Sequence, residues 1–145
     1  MEYIRSSDIE TGLGQNRRIY LCGDLKKENG IKHFRTDGYE IGISDYPVYT
    51  FEKAHIHSFN IEYNYVLECS VKIFMLDEKK EYQFNKGDMF IILVDEPYVG
   101  KMIAGTRTIF SKDPGGDDKV LVPMDDALLR WGKSFESVYE EVESK

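Results

Sequence analysis

Between residues 39 and 111, apolar and polar positions alternate in short runs separated by turn-forming residues. That period of two is the pattern of strands with one buried face. Residues 39–44 alternate until Asp45 and Pro47 interrupt them. Residues 63–68 and 71–76 read as consecutive strands, and 71–84 as a hairpin around the charged turn at 77–80. Lys86, Gly87 and Asp88 turn into an apolar strand over 89–94, and 99–104 pairs with 107–111 around Gly105 and Thr106. Upstream, one strand at 18–22 stands among the turn formers Gly12, Gly14, Asn29 and Gly30. Residues 112–123, carrying Gly115, Gly116, Asp117 and Asp118, read as a solvated loop leaving the strands. Past Pro123 the period becomes helical: Leu128, Trp131, Phe135, Val138, Tyr139 and Val142 share a face behind a cap at Asp125 or Asp126. The expectation is one all-β domain, 1–145, with an N-terminal arm and strand (1–38), a barrel core (39–111), a loop (112–123) and a C-terminal amphipathic helix (124–145).

The chemistry concentrates at His55-Ile56-His57, with Glu62 five residues on. Histidines at i and i+2 of a strand face the same side of a sheet, and a carboxylate arriving after a short connection can join them. Two imidazoles and one carboxylate form the facial ligand set of open non-haem transition-metal sites. Without a metal, Glu62 inside an aromatic barrel is a general acid or base, with His55 or His57 as base and Tyr98 or Tyr65 as proton donor.

The stretch from His55 through Glu62 and the run Tyr65-Val-Leu-Glu, followed by Gly87-Asp88, resembles the cupin family over roughly residues 39 to 111. That resemblance implies a double-stranded β-helix, or jelly roll, and a homodimer. It also implies a divalent transition metal (Fe, Mn, Ni or Zn) on His55, His57 and Glu62. Three departures stand out. Tyr49 lies where a motif glycine is usual, Cys69 replaces the glycine that ends the first motif, and Leu93, Asp95 and Tyr98 fill the second motif's proline, glycine and histidine positions. The third family histidine is therefore replaced by Tyr98, which either approaches the metal or seals a metal-free pocket. Metal-free cupin epimerases and ketoisomerases of nucleotide-linked sugars work with a histidine base and a tyrosine acid, which makes His57 and Tyr98 the catalytic candidates. Tyr65 and Arg107 are the candidate ligand-binding residues; Arg17, Arg18, Arg35 and Lys101 are further cations, for which surface positions are the simpler expectation. The implied function is binding of a small, sugar-like or polar molecule, with metal or acid–base catalysis or with binding alone.

Composition narrows this. The net charge of −7 removes the long-range attraction that nucleic acid or an anionic membrane would require. No apolar run approaches a membrane span, and the first residues lack a signal-peptide core, which makes the cytoplasm the expected compartment. Cys22 and Cys69, 47 positions apart, are expected as reduced, buried thiols.

Overall fold

A computed structural model describes residues 1–141. The alternating runs form eleven strands among these residues: β1 (Arg18–Cys22), β2 (Glu40–Tyr46), β3 (Thr50–Phe51), β4 (His55–His57), β5 (Ile61–Glu68), β6 (Ser70–Met75), β7 (Lys80–Asn85), β8 (Met89–Ile92), β9 (Tyr98–Met102), β10 (Thr106–Asp113) and β11 (Lys119–Leu121). One sheet has the order β1-β2-β10-β5-β8, the other β11-β4-β9-β6-β7, with β3 paired to β9. Every strand pair is antiparallel, as in a two-sheet jelly roll. Val66, Val71, Ile73, Ile92, Tyr98 and Met102 fill the interior between the sheets.

Both termini differ from the sequence expectation. Helix α1 (Ser6–Gln15) lies where Gly12 and Gly14 read as turns. Gly12 is there for packing: a Cβ on it would come within 2.6 Å of Ile31 Cγ2. Leu13 joins Ile19 and Ile43 to seal the outer face of the first sheet. At the other end, helix α2 runs only from Asp126 to Trp131, capped as expected by the Asp125 carboxylate accepting from Leu128 N–H. The 112–123 segment is not all loop, because β11 within it pairs with β4.

The predicted long helix stops because other groups take its backbone. Lys101 is fully buried, and its ammonium donates to the carbonyls of Trp131, Ser134 and Ser137 at 2.8, 3.0 and 3.0 Å. It also lies 4.0 Å from the centre of the Trp131 ring. The hydroxyls of Ser134 and Ser137 bond each other's backbone N–H groups, a local alternative to helical bonding. Phe135 is buried and the Tyr139 ring lies tilted 4.4 Å from Phe74, so these two members of the apolar stripe beyond Trp131 pack on the barrel without being helical. Val138 faces solvent, and Val142 lies outside the described residues. Lys101→Met should cost roughly 2–4 kcal/mol, because three carbonyls lose a charged donor; urea denaturation of both proteins measures it.

The missing motif glycines leave their backbone shape behind. Cys69 and Asp95 have φ of 61° and 62°, the left-handed region that glycine enters at least cost. Cys69 is exposed and Cys22 partly so, correcting the expectation of two buried thiols. The shape belongs to the fold, and these residues tolerate it.

Candidate functional site

The barrel opens into a cavity of about 660 Å³. Its floor is shared with a deeper chamber of about 40 Å³, and the residues common to both are Arg18, Glu52, Glu62 and Tyr98. Strand β4 turns His55 and His57 inward and Ile56 away. Tyr98 comes to them because its Cα is the register partner of His55 across β4 and β9. Glu62 faces in from β5 together with Asn64 and Val66.

The hydrogen bonds fix where the protons lie. His55 Nδ1 is 2.7 Å from the Lys53 carbonyl, which can only accept, so Nδ1 carries the hydrogen. His55 Nε2 is then the acceptor for the Tyr98 hydroxyl at 2.9 Å. The same oxygen lies 3.0 Å from His57 Nε2, which is also 3.0 Å from Glu62 Oε2. His57 Nδ1 donates to Asp118 at 2.9 Å. Asp118 in turn accepts from the backbone N–H groups of Phe59 and Asn60 and from the Asn60 amide. Donation therefore starts at His57, to Asp118 on one side and, on the other, through Tyr98 to His55 and the Lys53 carbonyl.

Charges follow from these contacts. Burial opposes a charge on His57, but Glu62 and Asp118 on its two nitrogens outweigh it and raise its pKa. Burial likewise opposes Glu62's charge, yet His57 and Arg18 bring its pKa down to about 2. Asp118 is also held below the usual carboxylate range: burial again works against the charge, and His57 and the two backbone N–H groups prevail. His55 goes the other way, its pKa pushed down to about 4 chiefly by burial. Burial and the nearby Glu62 and Glu52 raise Tyr98 well above its ordinary value.

His55 makes the fold acid-sensitive. With its folded pKa depressed, the unfolded chain binds the proton first, so stability is intact above pH 6.5 and falls as pH drops toward 4. The loss should be on the order of 3 kcal/mol. Urea titrations at neutral pH and near pH 4 should show a slope that His55→Asn flattens.

His55, His57, Glu62 and Tyr98 come together as the sequence reading expected, with the Tyr98 hydroxyl at the centre of the group. Among the described residues no group of three or more His, Cys, Asp and Glu side chains is disposed to hold a metal ion. The Tyr98 hydroxyl fills the point where both Nε2 atoms converge, and His57 is bonded to a carboxylate through each nitrogen. The two carboxylates favour the His57 form protonated on both nitrogens, which offers a metal no lone pair; with the Tyr98 hydroxyl between the two Nε2 atoms, the arrangement does not fit a divalent metal on His55, His57 and Glu62.

Two ligand-binding candidates fall elsewhere. Tyr65 points outward from β5 and is exposed. Arg107 is held outside the barrel by Glu10 at 2.6 Å and Asp45 at 3.3 Å, where it anchors α1. Arg18 and Lys112, by contrast, line the cavity; Arg18 Nη2 is 4.0 Å from Glu62 and Lys112 Nζ 3.9 Å from Glu40. Sequence reasoning missed Glu52 altogether and took Asp118 for a solvated loop residue. Glu52 gave no periodic signal, because it lies in the irregular stretch between β3 and β4.

Solved structures share this architecture. KdgF from Halomonas sp. matches at a TM-score of 0.54 and 15% identity over 70% of this chain and 80% of that one. The polyketide cyclase RemF from Streptomyces resistomycificus matches at 0.53 and 18%, over 63% and 65%. The DMSP lyase DddQ from Ruegeria pomeroyi matches at 0.56 and 16%, over 72% of this chain and 50% of that one. No family model and no curated protein matches the sequence. The chain thus has the cupin double-stranded β-helix fold. Among the described residues no helix is long and apolar enough to cross a membrane.

Proposed function

We propose that the chain binds a small polar, sugar-like molecule in the barrel cavity and moves protons on it without a metal, isomerising or epimerising it beside a carbonyl. The observation that carries this reading is the Tyr98 hydroxyl set between the two histidine Nε2 atoms, with Asp118 behind His57. Asp118 orients the imidazole, as a carboxylate does behind any catalytic histidine. His57, a base in the sequence reading, rests here between two carboxylates that retain its proton; it is the store from which Tyr98 is resupplied. Tyr98, neutral at ordinary pH, becomes the donor to a substrate oxygen by turning its one hydrogen from His55 Nε2 toward the ligand. The polar lining, with Asn16, Asn29, Tyr20 and Lys112 above the floor, suits a ligand rich in hydroxyls.

A second reading, a binding module without catalysis, is favoured by one observation. Glu62 and His55, with pKa values near 2 and 4, keep fixed protonation states at neutral pH, the first an anion and the second neutral. Homodimerisation, expected from the family resemblance, finds support in β8, an uncharged sheet edge with Met89 and Ile91 exposed.

The test pairs elemental analysis of protein purified without a metal column with thermal-shift screening against reducing sugars. Substoichiometric metal and a sugar-induced shift that Tyr98→Phe removes are expected. Stoichiometric metal on the parent protein that a His55/His57 double alanine variant loses would sink the metal-free reading.

A further inference from the structure

Four residues form the floor of the cavity, and three already have protein partners. Arg18 faces Glu62, Glu62 also bonds His57, and Tyr98 bonds both histidines. The fourth, Glu52, has no side-chain hydrogen bond or ion pair among the described residues. Its position is nonetheless fixed. Its backbone N–H donates to Gly100 O at 3.0 Å, and its carboxylate passes over Gly100, where an added Cβ would come within 2.9 Å of Oε2. Gly100 is two residues along β9 from Tyr98, and so on the same face of the strand. A glycine there makes room for a carboxylate beside the phenol. A carboxylate held in a cavity floor with no protein partner is available to a ligand.

We propose that Glu52 is the substrate-facing base of this site, taking the proton from the carbon beside the substrate carbonyl while Tyr98 protonates the oxygen. This rests on the acid–base reading above. In the step, the C–H bond breaks and its proton forms an O–H bond on Glu52. The electron pair moves into an enediolate, whose oxygen takes the Tyr98 hydrogen, and His57 Nε2 resupplies Tyr98. Glu52 then returns its proton to the neighbouring carbon, the enediol gives back the hydrogen, and no oxidant or reductant is consumed. The electrostatics support the assignment. Burial first, and repulsion from Glu62 second, raise Glu52 to about 7, against the opposing pull of Lys119, Arg18 and His57. Two carboxylates on one floor are thereby driven apart, one fixed as an anion and the other poised to exchange protons.

The experiment follows replacement of carbon-bound hydrogen by deuterium in D2O, by proton NMR. The probes are dihydroxyacetone, D-xylose and D-fructose, each with a hydrogen beside a carbonyl or a masked one. Wild-type protein should catalyse exchange with a rate that rises through pH 7. Glu52→Gln should lower the rate about 100-fold or more, and Glu52→Asp should retain part of it with a displaced pH profile. Matching melting temperatures would separate this from misfolding. Exchange undiminished in Glu52→Gln would overturn the assignment and leave the acid–base reading standing. No exchange on any probe by the wild-type protein would overturn both.

Discussion

Tyr98→His is expected to convert the cavity into a metal site. The change removes the hydroxyl that fills the convergence point of His55 and His57. It also restores an imidazole at the position where the cupin pattern has one. Three imidazoles and Glu62 would then surround a space of the kind a divalent ion occupies. With the phenol gone, His57 Nε2 can lose its hydrogen to solvent, a proton release that metal binding drives. Purified Tyr98→His protein, reconstituted with zinc or nickel and desalted, should carry close to one equivalent, with uptake weakening as pH falls through the histidine range of about 6.5. Inductively coupled plasma analysis reads the result. A folded variant that still takes up nothing would show that Tyr98 is not what excludes the metal.

The second large effect is expected at Asp118. Its carboxylate accepts from His57, from two backbone N–H groups and from the Asn60 amide, in a buried position. Asp118→Ala strands those donors and should cost about 3–5 kcal/mol, the range for breaking a buried charged network. Asp118→Asn keeps an acceptor oxygen but removes the charge, so it should be milder in stability and informative in chemistry. The His57 pKa should fall, since one of its two supporting anions is lost. Nitrogen-detected NMR titration of the imidazole measures this, and an unchanged His57 pKa would separate Asp118 from the proton chain.

Much of this site was legible in the chain. The i, i+2 histidines faced one way because strand geometry leaves no alternative, and counting from Gly87 placed Tyr98 at the missing histidine. Parity also held a signal that went unused. With Glu62 inward, residues 64 and 66 must follow it and Tyr65 must face out, as it does. For Arg107, parity fixes that it opposes Thr106 and Thr108, but which of the two faces is interior depends on the sheet it joins. Asp118 was hidden for a different reason. Its Gly and Asp neighbours describe a solvated loop, and only the pairing of Lys119 with His57 draws it under the histidine. Glu52 was illegible because an irregular segment has no period, and its entry depends on a glycine 48 positions later. The C-terminal helix formed but ended at Trp131, shorter than its apolar stripe predicts, where a buried lysine from β9 takes the carbonyls of the following turn.

That lysine has a spectroscopic consequence. The chain contains a single tryptophan, and it is Trp131, fully buried against Phe74 and Lys101 with its indole N–H on Glu81 at 2.8 Å. Intrinsic tryptophan emission therefore reports one event, the seating of the C-terminal segment on the outer face of the second sheet. Unfastening of that segment becomes visible as a red shift while the cavity, on the other side of the same strand, stays optically silent.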